Sequence, residues 1–590
     1  MSSQKMINAG SAVPNGTGGV AVHGTFAPSA WGDFFVTYVP PIAEAGHIYS
    51  GFSSLLVISY FLTCTFLRRS EEWMRDRAEE LKRRVCKMFK DCEVMGVPKA
   101  VQFVDTLERL GLDSHFRNEI AAIITRIHQA HMESPEFLVG SDNLHIAATR
   151  FRLLRQHGLW VPTHVFDKFK DGAGNFSASS QNLSSDPRAL LSLYHAAHMA
   201  VPGEATLDNA IAFAGYHLEA MKGNLQSPAA EQVSRALDHP LPRFTKQIET
   251  MHYIGEYAQE GTHDGTLLEL AKINSNLMRS IHLKELKDLS LWWRDLYDAV
   301  NLKYSRDRVV EVYFWCSGMI PEEDQSRARL LFVKAFALVS ILDDTFDVGA
   351  TIEECHSFNE AMQRWDKSTV SIVPEYLRML YIKTLSNFEK FEDVLEPHEK
   401  YGISYAKKAY QLQSEYHMLE AQWTNDKYQP SFEEHEELSS LSTALPMLIL
   451  VGLMGYGCAV TTKELLEWTS ALPDVVRAAS KIGRFLNDVS SFKLGKNKKD
   501  VISAVECYML EKGVSGDEAM AGIAAMTEEN WRVVNKACIE VKPALLPAAQ
   551  LAAIAARACE VMYLRGRDGY TFGEHVKGLL TAFYLAPFPL

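Results

Sequence analysis

Apolar residues recur every three or four positions through Glu71–Phe89, Val101–Leu110, Phe116–Met132 and Leu144–His157. That spacing lays one apolar stripe along a helix and predicts helix after helix as far as about Gly265. Turn signals punctuate the series at Gly96-Val97-Pro98, Asp171-Gly172-Ala173-Gly174 and Val201-Pro202-Gly203. A second helical block opens near Thr266. It runs through Leu267–Met278, Pro374–Leu395, Gly402–Gln422, Glu433–Met454, Thr462–Trp468, Pro473–Phe492, Val501–Glu511, Ser515–Ile539 and Leu545–Met562. Pro374 suits a first helical position. Pro446, inside SSLSTALPMLILVG, predicts a kink or break near Ser442–Ala444, with freed carbonyls and hydroxyls facing a cavity. No series of strands is predicted, so the expected fold class is all-α.

The amino-terminal part breaks this pattern. Residues 1–24 are rich in Gly, Ser, Ala and Val and carry one basic side chain, Lys5, besides His23. They match neither an Arg-rich transit peptide nor a signal peptide and are expected to be a disordered lead-in. The aromatic stretch Thr25–Phe35 is expected to pack on a surface. Tyr49–Leu67 is an uncharged apolar run followed by Arg68 and Arg69. It is barely long enough to span a bilayer, and its serines and threonines weaken it further. A packed or irregular insertion is expected instead of a membrane anchor.

With 590 residues, 47% hydrophobic and 23% charged, the chain has the make-up of a large soluble protein. A net charge of -13 argues against nucleic acid as a partner, although metals and arginines can still gather an anion locally. The nine cysteines contain no CxxC pair, which argues against a zinc site or a disulfide framework.

The candidate chemistry lies in three clusters. In FALVSILDDTFD an apolar helical run ends in Asp343, Asp344 and Asp347. Asp343 and Asp347, four apart, would share a helix face. Carboxylates beside so apolar a segment need a positive partner, and Mg²⁺ carrying a phosphate substrate supplies one. A solvated acidic helix end would look the same if it stood alone. The second cluster, Arg484-Phe485-Leu486-Asn487-Asp488-Val489-Ser490-Ser491, puts Asn487 and Ser491 on one face as neutral oxygen ligands, with Arg484 a turn earlier. The third is Arg306-Asp307-Arg308, whose planar guanidinium groups match phosphate oxygens. An acidic metal face, a neutral-oxygen metal face and flanking arginines together are what capture of a diphosphate by several Mg²⁺ requires.

On these clusters, and on HFRNEI (115–120), RFRLLRQHG (150–158), LLELAKINSN (267–276), ELKDLSLWW (285–293), RDRVVEVYFW (306–315), RFLND (484–488) and DGYTFGEHV (568–576), the chain resembles a plant class I terpene synthase of the angiosperm sesquiterpene type. The resemblance implies two helical domains: a catalytically silent amino-terminal α-barrel (71–265) and a carboxy-terminal class I α-bundle holding the site (266–590). Residues 25–42 would cap the pocket entrance, and 43–70 would be an atypical insertion. Asp343 and Asp347 would be direct Mg²⁺ ligands, with Asp344 beside them. Asn487 and Ser491 would fill the first two positions of the second metal motif. Its usual third residue, a glutamate, is here Gly495, which has no side chain to ligate. Arg306, Arg308 and Arg484 would bind diphosphate. Trp315, Tyr563 and Tyr570 would line the pocket, with Asp568 beside Tyr570.

The expected activity is that of a cytoplasmic, monomeric sesquiterpene synthase. Three Mg²⁺, with Mn²⁺ as an alternative, would bind farnesyl diphosphate, whose ionisation is followed by cyclisation or rearrangement and diphosphate release. Geranyl or geranylgeranyl diphosphate is the alternative substrate. A degraded, non-catalytic relative is the alternative from outside the enzyme class.

Overall fold

In the computed structural model, the described residues are 26–39, 69–94, 96–133, 143–176, 185–495 and 502–590. The lead-in 1–24, most of the run 43–70 and Asp500 lie outside them. The described residues form helices and turns, with one isolated β-bridge, between Lys170 and Phe176.

Two apolar cores organise the chain. The first is built from helices Glu71–Val94, Val97–Arg109, Arg117–Glu133, Leu144–Gln156, Pro187–Ala197 and Ala205–Met221, joined by Tyr253, Ile254 and Tyr257 of Lys246–Tyr257. The second gathers Val309–Met319, Ser326–Asp344, Gly402–Asp426, Leu445–Tyr456, Asp474–Lys493 and Leu546–Met562 with their neighbours. The boundary expected at 265/266 is where helix Gly265–Val300 begins, with Asp264 capping it by accepting from the Thr266 and Leu267 amides. The packing boundary falls inside that helix. Leu267 to Leu277 belong to the first core, and Leu283 to Val300 to the second. A 36-residue helix carries a continuous buried stripe, so both domains share it as a strut.

Three expectations change in detail. Pro374 stands before a 3₁₀ turn, Glu375–Leu377, and helix Arg378–Asp393 starts after it. The run Glu433–Met454 splits into Phe432–Ser442 and Leu445–Tyr456. The break is at Ala444, which adopts a left-handed φ of 61°, with Pro446 in the first turn beyond it. Helix Ser326–Asp344 gives way at Thr345–Gly349 to a π-helical turn. Asp347 therefore sits on a widened turn and not on the α-helix that carries Asp343. The turn closes on Tyr304, whose hydroxyl meets Thr345 Oγ1 at 3.0 Å. A side chain at Gly349 would begin 2.3 Å from the Tyr304 ring, so only glycine lets the turn seat there.

The amino-terminal segment joins the second domain. Phe35 and Tyr38 are buried in its core, and Phe35 meets Tyr584 of the last helix, Glu574–Leu585, edge-on.

Candidate active site

The break at Ala444 and helices Val309–Met319, Ser326–Asp344, Gly402–Asp426, Asp474–Lys493 and Leu546–Met562 enclose a cavity of about 120 Å³. Trp315, Phe332, Phe336, Tyr563 and Tyr570 form its aromatic wall. The Trp315 ring meets Phe336, Tyr563 and Tyr570 at centroid distances of 5.4, 6.1 and 6.1 Å, each edge to face. Burial pushes both phenols above the ordinary tyrosine range, Tyr570 to about 12, so they stay neutral. The Tyr570 hydroxyl donates to Ser340 Oγ, which fixes the ring. A larger cavity of about 510 Å³ lies between the domains, away from these residues.

At one edge of the pocket Arg306 holds two aspartates. Its guanidinium pairs with Asp343 and lies 2.9 Å from Asp344 Oδ1, while its amide donates to Asp344 Oδ2 at 2.8 Å. Asp344 is 2% exposed and committed to this arginine. Burial raises its carboxyl and Arg306 opposes the rise. Asp343 is partly exposed, lines the pocket and can offer oxygens to a cation. Asp347 is exposed. Desolvation, and after it the Asp343 and Glu420 carboxylates, hold the Asp347 carboxyl above the usual range. A cation would relieve that like-charge crowding.

Sequence reasoning passed over two residues here. Glu420 and His417, three apart on helix Gly402–Asp426, face the aspartates. His417 Nδ1 is 3.4 Å from Asp343 Oδ1 and 3.6 Å from Glu420 Oε2. Burial works against charge on this imidazole, yet Glu420 and then Asp343 hold its pKa above the ordinary histidine value. Their sequence context, YHMLEAQW, carries no motif, and only packing brings them to the site.

At the opposite edge Arg484 Nη1 donates to Asn487 Oδ1 at 3.0 Å and approaches Asp488 Oδ1 at 3.3 Å. Its Nε donates to the Ser439 carbonyl at 3.0 Å, just before the helix break. Asn487 donates in turn to the Tyr563 hydroxyl at 3.1 Å. Asp488 is buried and accepts from the Ala504 amide at 2.7 Å, so it positions its helix and is not free to ligate. Ser491, a turn beyond Asn487, is half-buried.

Two further expected site residues are engaged with backbone groups. Arg308 is 2% exposed and donates to the carbonyls of Ala27, Tyr570 and Thr571 at 2.8, 3.1 and 2.9 Å. It straps the amino-terminal segment to the carboxy-terminal loop, while Arg306 is the arginine directed at the aspartates. Phe26 of the same segment lies over the Arg306 guanidinium at 5.3 Å, which places residues 26–39 beside the site. Asp568 accepts from the amides of Tyr570 and Thr571 at 2.9 and 2.8 Å and so shapes the loop that presents Tyr570.

Gly495 ends the second motif's helix. Its φ is 71°, and its amide donates to the Phe492 carbonyl at 3.1 Å, the left-handed helix stop that glycine favours. Glutamate there must either adopt that conformation, at about 1–2 kcal/mol, or extend the helix by a turn. Gly495→Glu is therefore expected to melt earlier than wild type without metal and to reach half-maximal turnover at lower Mg²⁺. A Mg²⁺ titration of turnover that matches wild type would show that the site is complete without this ligand.

Two faces of oxygen ligands and two arginines around an aromatic pocket, on an all-helical two-domain frame, define a class I terpenoid synthase. The sequence matches the terpene synthase amino-terminal domain over residues 56–237 and the terpene synthase family metal binding domain over 294–533. The first match begins inside the 43–70 run. A eudesmanediol synthase of Zea mays is 56% identical over 562 residues, 95% of each chain. A tau-cadinol synthase of Zea mays is 40% identical over 96% of this chain and 98% of its own length. The crystal structure of isoprene synthase from grey poplar, in complex with three Mg²⁺ ions and dimethylallyl-S-thiolodiphosphate, superposes with a TM-score of 0.79. It is 29% identical and covers 87% of this chain and 97% of its own. The chain belongs to the terpene synthase family. It is a sesquiterpene synthase, a lyase that ionises a prenyl diphosphate and uses a divalent metal.

Proposed function

We propose that this enzyme converts farnesyl diphosphate, with three Mg²⁺, to an oxygenated sesquiterpene of the eudesmane-diol type. The observation that carries the ionisation is the facing pair Arg306–Asp343 and Arg484–Asn487 across one aromatic-walled cavity. The donor set suits a hard cation, since the available atoms are carboxylate, amide and hydroxyl oxygens. Asp343, Asp347, Asn487 and Ser491 would hold it, with Glu420 adjacent. The bound ions would neutralise the charge that develops on the departing diphosphate.

This chain's residues do the rest. Arg306 and Arg484 orient the diphosphate and stabilise its leaving oxygen. The carbon–oxygen bond breaks with its electron pair going to diphosphate, which leaves an allylic cation. The faces of Trp315, Tyr563 and Tyr570 stabilise that cation without adding to it. The wall is not wholly apolar, because Ser340, His417, Ser442, Thr443 and Asn487 also line it, and such a lining can retain water. Water attack on a ring-closed cation forms a carbon–oxygen bond and releases a proton. Reprotonation of one ring double bond, attack of the remaining ring double bond on the resulting cation to close the second ring, and a second water attack with loss of a proton give the diol. The identity to a eudesmanediol synthase over 95% of both chains supports this outcome.

The test is incubation of the purified protein and Mg²⁺ with farnesyl, geranyl or geranylgeranyl diphosphate in H₂¹⁸O, followed by mass spectrometry of the extract. The expected product forms best from farnesyl diphosphate and carries two ¹⁸O atoms. An unlabelled hydrocarbon as sole product would overturn the diol. Turnover confined to another chain length would overturn the substrate.

A further inference from the structure

His417 has surroundings that a packing role does not explain. Its side chain is 2% exposed and lines the pocket, its ring stacks on Phe346 at 6.2 Å and 28°, and neither ring nitrogen has a full hydrogen bond among the described residues. Burying two polar nitrogens in this way costs stability that an apolar ring would not cost. What the imidazole does have is a place between two carboxylates from different helices, Asp343 at 3.4 Å and Glu420 at 3.6 Å, both a little long for a good hydrogen bond.

From Glu420 the contacts continue. Ser442 Oγ donates its one proton to Glu420 Oε1 at 2.8 Å and lies 3.1 Å from the Ser439 carbonyl, its alternative acceptor. That carbonyl accepts from Arg484 Nε, and Arg484 donates to Asn487. A chain of polar contacts, loosest at His417, thus runs from the aspartate face, through the helix break at Ser442–Ala444, to the asparagine face. Among the described residues, His417 stands between Asp343 and Glu420 on that path.

We propose that His417 is a positioning residue whose Nδ1–H holds Asp343 in ligating orientation against Glu420, and so couples cation capture at the aspartates to the helix-break wall and to Arg484. Small shifts of Asp343 on metal binding would tighten the 3.4 Å contact and pass through Glu420 to Ser442. The proposal rests on Asp343 as a metal ligand and is independent of which terpene is released.

The experiment compares wild type, His417→Phe, His417→Asn and His417→Gln in two readouts. One is the Mg²⁺ concentration at half-maximal turnover. The other is the rise in melting temperature on adding Mg²⁺ with inorganic pyrophosphate, which needs no turnover. Phenylalanine keeps the stacking ring and removes the donor. It is expected to raise the Mg²⁺ requirement about 10–100-fold, as loss of a ligand-orienting partner does, and to shrink the melting rise. Asparagine places an amide near the Nδ1 position and is expected to recover most of both signals. Glutamine mimics Nε2 and is expected not to. Ser442→Ala added to His417→Phe is expected to cost less than Ser442→Ala alone, because the path is already cut. Wild-type Mg²⁺ titration and melting response in His417→Phe would overturn the proposal. Equal rescue by Asn and Gln would do so too, and that pair decides the matter if the phenylalanine variant fails to fold. A wild-type protein whose melting ignores Mg²⁺ and pyrophosphate would overturn the metal assignment itself.

Discussion

Asp343→Ala is expected to lower turnover at least about 10³-fold while leaving the melting temperature within a degree or two of wild type. Asp343 is partly exposed, its carboxylate faces the pocket, and its removal opens no core cavity. What it removes is the proposed cation ligand and the partner of Arg306. The cation and the arginine together neutralise the departing diphosphate, a contribution of several kcal/mol, and each 1.36 kcal/mol is tenfold in rate. Asp344→Ala should give the opposite balance. Its carboxylate is buried, and deleting it leaves the Arg306 amide and guanidinium partly unpaired inside the protein, at about 3–5 kcal/mol. Steady-state kinetics and thermal melts of the two variants side by side check this. Full activity in Asp343→Ala with an unchanged Mg²⁺ optimum would remove Asp343 from the ligand set. Equal melting losses in both variants would remove the distinction between ligand and anchor.

That distinction marks what was legible in the sequence. The helical period, the break before Pro446 and the three clusters could be read because each is local: a stripe every three or four residues, a proline that cannot continue a helix, charges beside an apolar run. The paired aspartates look alike in sequence, and only burial separates the anchor Asp344 from the pocket-facing Asp343. Arg306 and Arg308 are two residues apart and equally suited to phosphate. Their difference comes from which carbonyls the folded chain brings near, and those carbonyls belong to residues 27, 570 and 571. Asp347 was placed on an α-helix because four-residue spacing implies one, and a π turn follows from the fit against Tyr304, which spacing does not encode. His417 and Glu420 had no signal at all, since one histidine and one glutamate on a long helix are ordinary until two other helices supply their partners.

The second large effect concerns a carboxyl that the chemistry does not use. Glu311, on helix Val309–Met319, is fully buried, and among the described residues neither of its oxygens has a hydrogen bond of good geometry. It lies beside the Trp31 indole of the amino-terminal segment and so close to Gly573 that a side chain there would begin 2.3 Å from Oε1. Burial pushes this carboxyl up to about 7 from 4.5, against smaller opposing pulls from its own backbone amide, then Arg308 and the Trp31 indole. A carboxyl raised on folding is protonated in the native protein over a range where the unfolded chain is already ionised. The folded state therefore holds the extra proton, and stability falls as pH rises from about 4.5 to about 7. At 1.36 kcal/mol per pKa unit the full loss is about 3 kcal/mol, complete above the native value. Glu311→Gln cannot ionise and is expected to escape it. The variant should lie within about 1 kcal/mol of wild type at pH 5 and exceed it by about 3 kcal/mol at pH 8 in denaturant unfolding of the second domain. The cost of that buried charge in wild type falls beside the site, because Trp31 and Gly573 lie next to the strap that Arg308 makes to Ala27 and Thr571. Proteolysis near residues 26–39 should accordingly quicken from pH 5 to pH 8 in wild type beyond the protease's own pH dependence, and less so in Glu311→Gln. A stability difference between the two proteins that stays constant across this range would mean that Glu311 keeps one protonation state throughout, and the coupling would be lost with it.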